Sequence, residues 1–244
     1  MIVGAILAIA QNRANLPVSP WLRAMKTIGF ARTFLKGYFM FRVKICGVTR
    51  SKDVRAIAQA GADAIGFQMS MGPRKLSAQQ AKRLVRLVPP LVTPVGVFVN
   101  EPLSRVKRLI KLCGFQAVQL HGEEGKTYCE KLDVPVIKVI RMKNPLSYKA
   151  FRGFRVAAFL LDSYNKNISG GTGKSFQPLW ARKAVEELPA PVLLAGGLTS
   201  DNVLRAIRSS RVFGVDVASG VEKAPGLKDP RKVSLFIRRV KKAF

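Results

Sequence analysis

The chain has 244 residues, 48% of them hydrophobic, and carries 42 Lys and Arg against 14 Asp and Glu for a formal net charge of +28. That length is enough for one large α/β barrel or two small domains, and no stretch approaches the roughly 18 consecutive apolar residues of a membrane helix. Three cysteines (Cys46, Cys113, Cys129) make neither a disulfide framework nor a metal-type pairing, which fits a reducing, cytoplasmic setting and leaves a thiol for chemistry. The positive charge raises the question of nucleic acid. The basic residues are spread through every helical segment, however, with no arm, stripe or interleaved aromatics. The reading is therefore a basic surface on an enzyme with an anionic substrate, with no nucleic acid or membrane as partner.

Residues 1–39 open on the apolar MIVGAILAIA and contain five Lys and Arg with no Asp or Glu. No basic residues precede the apolar run as they would in a secretory signal. We expect a nonstandard N-terminal extension, from a misplaced start or a poorly ordered appendage in preference to a targeting peptide, with the folded domain spanning 40–244.

From Met40 short β-type runs alternate with amphipathic stretches. Strands are predicted over 41–48, 64–69, 94–99, 117–122, 135–142, 156–162, 191–197 and 214–220. Between them SKDVRAIAQAGA, SAQQAKRLVRLV and PLSRVKRLIKLCG repeat apolar residues at three- and four-residue spacing, as do WARKAVEEL, SDNVLRAIRS and DPRKVSLFIRRVKK further on. The connection KNPLSYKAFRG is short and interrupted by Pro145, so its helix is doubtful. Eight such alternations predict a small (β/α)8 barrel, a parallel eight-stranded TIM barrel. An open doubly wound sheet would show GxGxxG after the first strand, where this chain has CGVT.

In a barrel, the carboxyl ends of the strands build the active site. The first offers Lys44 and Cys46, two residues apart and so on one side of the strand. An ammonium beneath the thiol is expected to depress its pKa; alone, though, a buried cysteine is more often a core filler. The sixth strand ends in Asp162, and a carboxylate there is costly unless paired or used. Strands one and six face each other across a barrel, so thiol and carboxyl form a candidate acid/base pair. The glycine-bearing loops GGTGKS, AGGLTSDN and ASGVE can bring backbone N–H groups to a phosphate, although GGTGKS lacks P-loop spacing. Arg74 offers a planar fork to a carboxylate. His121, the one histidine, reads as a satisfied rim residue with no catalytic role.

KICGVT, GADAIGF, VGVFVN, VQLHGEE, LLDS…GGTGKSF, LLAGGLTSDNV and GVDVASGVE occur in that order. Together they resemble the phosphoribosylanthranilate isomerase family of tryptophan biosynthesis, from about Phe41 to the end. The resemblance implies a small (β/α)8 barrel without metal or organic cofactor. It also implies an Amadori rearrangement of a small-molecule substrate, N-(5-phosphoribosyl)anthranilate, to 1-(2-carboxyphenylamino)-1-deoxyribulose 5-phosphate. By the same resemblance Asp162 is the general acid, Cys46 the general base, and Arg74 the ligand of the anthranilate carboxylate. Gly171, Thr172, Gly173, Gly196, Gly197, Ser219 and Gly220 correspond to the phosphate cradle. Two positions depart from the family pattern: Gly72 replaces the serine usual before Pro73-Arg74, and Ala218 replaces a common serine. Monomer and homodimer both remain open, and the alternative is a non-catalytic basic barrel that binds RNA or another phosphate-containing ligand.

Overall fold

The computed structural model describes residues 42–162 and 178–243. The expectations for the 1–39 extension and for Gly171, Thr172 and Gly173 lie outside the described residues. Eight parallel strands close into a barrel in sequence order: β1 (Arg42–Cys46), β2 (Ala64–Gln68), β3 (Thr93–Phe98), β4 (Ala117–Leu120), β5 (Val136–Arg141), β6 (Ala158–Asp162), β7 (Val192–Ala195) and β8 (Gly214–Val217). Closure runs through β8 and β1, where Arg42 to Ile45 align with Gly214 to Val217.

The helices are α1 (Ser51–Gln59), α2 (Ala78–Val85), α3 (Leu103–Cys113), α4 (Lys126–Glu130), α5 (Pro178–Glu187), α6 (Val203–Ser210) and α7 (Pro230–Lys241). Their ends follow the local chemistry. Ser77 and Gln80 exchange the reciprocal hydrogen bonds of a capping box before α2. Gly114 closes α3 in the left-handed conformation, and the Asp229 side chain accepts from Arg231 and Lys232 backbone N–H groups at the start of α7. The doubtful fifth connection forms only a 3-10 turn, Ser147–Phe151. Its broken apolar period and Pro145 leave too few residues for an α-helix. None of the helices among the described residues is long and apolar enough to cross a membrane.

Alternation along the strands divides the core in two. Outward residues such as Val43, Ile45, Ile65, Phe67, Val118, Phe159 and Val215 pack in one cluster with the helices. Inward residues of β3 to β7, including Val95, Ile137, Val139, Leu160 and Leu193, form a second cluster inside the barrel. On the β8–β1–β2 side the interior is polar instead, because Asp216, Lys44 and Cys46 occupy the inward positions. After β8 the chain turns through 219–221 into a small antiparallel hairpin, β9 (Glu222–Ala224) and β10 (Leu227–Lys228), that no periodicity had announced.

Candidate active site

Cys46 is the last residue of β1 and is 5% exposed. Lys44 is buried below it on the same face, as period two requires. A methyl group on Gly66 of β2 would lie 2.8 Å from the Cys46 sulfur and 3.1 Å from Lys44 Nζ. Glycine in GADAIGF therefore leaves the space that both side chains fill. Lys44 Nζ also donates to Asp216 Oδ1 at 2.9 Å.

Burial first, and that bond second, correct the expectation for the thiol. Burial pushes the Cys46 pKa up, Lys44 opposes this, and Asp216 adds to the rise, leaving the thiol above its ordinary value of 9.0. The ammonium beneath it is largely spent on a carboxylate of its own. Lys44 is raised in turn: burial disfavours its charge, but Asp216 outweighs that cost.

Asp162 ends β6, paired in register with Arg141 of β5 and Ala195 of β7. Its Oδ2 lies 3.2 Å from His121 Nε2. The histidine read as an inert rim residue thus touches the candidate acid. The segment HGEE accounts for its placement. Glu124 accepts from the Gly122 and Asn100 backbone N–H groups at 2.9 and 2.8 Å and from Lys138 Nζ at 2.7 Å, which fixes the turn directly after His121. Arg141 Nη2 donates to the His121 carbonyl at 3.2 Å.

Two of the three glycine loops meet. Gly196 and Gly197 after β7 have φ of +89° and +61°, a left-handed turn that glycine permits without strain. A side chain on Gly220 would overlap the Leu198 carbonyl oxygen. Gly196, Gly197, Ser219 and Gly220 are therefore brought to one side of the barrel mouth, where β7 and β8 are neighbours.

Arg74 does not project freely. Its Nε and Nη2 donate to the two oxygens of Glu222 at 2.8 and 2.6 Å, and its aliphatic chain crosses Gly47, next to Cys46. Glu222 also accepts from Lys228 Nζ at 2.8 Å and from Gly226 N–H at 3.1 Å. Burial opposes its ionisation, but Arg74 and Lys228 together hold its carboxyl below the usual carboxylate range. Glu222, Lys228 and Asp216 escaped the sequence reading. The signal for Asp216 was present: a carboxylate within a buried strand is as improbable as the one at Asp162. For Glu222 the signal was weaker, an acid after a glycine loop and a Pro225-Gly226 turn ahead of Lys228.

A closed (β/α)8 barrel with a buried thiol, a carboxyl and glycine loops at its carboxyl-terminal mouth is the architecture of a barrel enzyme. Residues 43–239 match the sequence profile of the family described as N-(5'phosphoribosyl)anthranilate (PRA) isomerase. The chain is 43% identical over 203 residues to the N-(5'-phosphoribosyl)anthranilate isomerase of Pelobacter propionicus, covering 83% of this chain and 96% of that protein. It is 44% identical over 205 residues to that of Trichlorobacter lovleyi, covering 84% and 100%. Among solved structures, phosphoribosyl anthranilate isomerase from Thermotoga maritima aligns with a TM-score of 0.77 at 37% identity, over 83% of this chain and 100% of that one. A phosphoribosyl anthranilate isomerase in complex with reduced 1-(o-carboxyphenylamino)-1-deoxyribulose 5-phosphate aligns with a TM-score of 0.74 at 35% identity, over the same shares. The chain belongs to the N-(5'-phosphoribosyl)anthranilate isomerase family, and it is an isomerase.

Proposed function

We propose that the protein converts N-(5-phosphoribosyl)anthranilate to 1-(2-carboxyphenylamino)-1-deoxyribulose 5-phosphate in the cytoplasm, with Asp162 as general acid and Cys46 as general base. The observation that carries the assignment is the placement of both groups at the last inward position of their strands, β1 and β6, which are not neighbours. A substrate lying across the mouth meets one on each side. Asp162 gives a proton to the furanose ring oxygen as the C1–O bond breaks, leaving an open-chain Schiff base. Cys46 then takes the C2 proton; the C2–H electron pair forms the C1=C2 bond as the C1=N pair moves onto nitrogen, giving an enolamine that tautomerises to the ketose. C1 is reduced and C2 oxidised within the one substrate, so the reaction needs no external oxidant or reductant.

Arg74 holds the anthranilate carboxylate in this reading. Gly171, Thr172, Gly173, Gly196, Gly197, Ser219 and Gly220 hold the phosphate through backbone donors and hydroxyls. The meeting of the β7 and β8 loops supports a cradle at the usual phosphate position of such barrels. The folded domain is taken as 40–244, with 1–39 an extension outside it.

A thiol pushed up by burial is a scarce base but a strong one. The expected signature is kcat/KM still rising with pH above the ordinary cysteine value of 9.0. Loss of anthranilate fluorescence measures turnover directly. Cys46→Ser should lower kcat by about 10²- to 10⁴-fold while phosphate-ligand affinity stays nearly unchanged, because the base is lost and the cradle is not. Turnover equal to the unmodified enzyme would sink the assignment of Cys46. No turnover by the folded, unmodified protein, together with salt-sensitive RNA binding, would favour the non-catalytic barrel instead.

A further inference from the structure

We propose that Glu222 is a positioning residue for the substrate's aromatic carboxylate: it grips one edge of the Arg74 guanidinium so that the other edge is left for that carboxylate. The inference rests on the role given to Arg74 above.

A guanidinium carries five N–H donors in a rigid plane. Glu222 uses the side-on edge, one hydrogen each from Nε and Nη2. The remaining Nη2 hydrogen and one of the two on Nη1 lie on the end-on edge, while the other Nη1 hydrogen points toward the Cδ side. The facing Nη1 and Nη2 hydrogens suit a second carboxylate bidentately. Glu222 therefore need not leave before substrate binds, and the two carboxylates occupy different edges of one cation.

The charge balance agrees. Arg74 and Lys228 are two cations flanking one Glu222 carboxylate, so the cluster keeps one net positive charge, which a single substrate carboxylate neutralises. Without Glu222, Arg74 would be a long side chain free to sample rotamers, and ordering it on binding would weaken affinity.

Glu222 is itself rigidly held. Its side chain is 4% exposed and sits on the hairpin made by β9 and β10. Lys228, its partner, also donates to the Ala218 carbonyl at 3.0 Å, directly before Ser219 and Gly220. One strut thus runs from the carboxylate-binding arginine through Glu222 and Lys228 to the loop assigned to phosphate.

The test compares two stable ligands by calorimetry on the full chain: the ketose product, and 1-phenylamino-1-deoxyribulose 5-phosphate, which is the same molecule without its carboxylate. Glu222→Gln should weaken the carboxylated ligand about ten- to thirty-fold, the scale set by freeing one arginine side chain. The decarboxylated ligand should change by no more than about twofold, since it makes no use of Arg74. Equal weakening of both would overturn the inference, because a residue that merely braces the hairpin cannot tell the two ligands apart. Should Glu222→Gln fail to fold, Glu222→Asp carries the same expectation, as it withdraws the carboxylate by one methylene. Arg74→Met separates the two levels of the reading. In that background Glu222→Gln should no longer discriminate between the ligands. If Arg74→Met itself does not discriminate, the role of Arg74 fails and this inference with it.

Discussion

Cys46 and Lys44 sit almost wholly out of water, at 5% and 1% exposure, among the carboxylates of Asp216 and Glu222 and the cations Arg74 and Lys228. Across the mouth, the Asp162 and His121 side chains keep 22% and 27% of their surface exposed. The contrast matches what the proposed mechanism would ask of each group. A base for a carbon-bound proton gains strength from a dry setting that disfavours its charge. A carboxyl that surrenders a proton to the sugar ring in each turnover has to be reloaded, and partial exposure beside an imidazole gives it a route to solvent.

The largest effect expected from breaking this arrangement is at the wet side. Asp162→Asn removes the acid and keeps the shape, and should lower kcat by about 10²- to 10⁴-fold with KM little changed. Steady-state kinetics on the fluorescent substrate decides the point. A raised KM with intact kcat would make Asp162 a binding residue.

On the dry side the corresponding break is Lys44→Met. It strands the buried Asp216 carboxylate without its cation, a loss of about 3–5 kcal/mol in stability, read as a lower urea midpoint at unchanged slope. Replacing both partners, Lys44→Met with Asp216→Leu, should recover most of that loss. Lys44 is also the leading influence that lowers the thiol against burial. In any folded Lys44→Met enzyme, the rise of kcat/KM with pH should therefore move to higher pH. An unmoved profile would mean that the thiol does not feel the ammonium beneath it.

The barrel was legible because its signals are local. Eight apolar runs of strand length, spaced by helices with a polar face, admit few other topologies. The positions of Cys46 and Asp162 were legible for a related reason: each interrupts the apolar pattern where a buried strand gives way to the barrel mouth. What stayed hidden was long-range. Asp216 is 172 residues from Lys44 and Glu222 is 148 from Arg74. Nothing in either segment says that barrel closure through β8 and β1 makes them neighbours. The expected fall in the thiol pKa failed chiefly because burial outweighs the lysine beneath Cys46, and Asp216, which the sequence does not place there, adds to the rise. The contact of His121 with Asp162 was hidden similarly, its partner lying two strands away.

The smallest effect, and the one that sharpens the comparison most, concerns the carboxylates that brace each side. Glu124 steadies the turn after His121 as Glu222 steadies Arg74, but among the described residues the cation it holds is Lys138, an ammonium without a guanidinium's second edge. Burial raises its pKa, yet Lys138 and the backbone N–H groups of Asn100 and of Glu124 itself outweigh this and leave it lowered. A carboxyl lowered on folding contributes stability that is present above its unfolded value, ordinarily 4.5, and is lost as pH falls through the lowered folded value. Glu124→Gln should therefore cost about 1–3 kcal/mol near neutrality, and the gap to the unmodified protein should close as denaturation is followed into acid below pH 4.5. Its ligand affinities, carboxylated and decarboxylated alike, should shift together if at all. A Glu124 variant that discriminated between the two ligands would show that the wet side, too, reads the substrate's carboxylate, and the division of labour between the two sides would be lost.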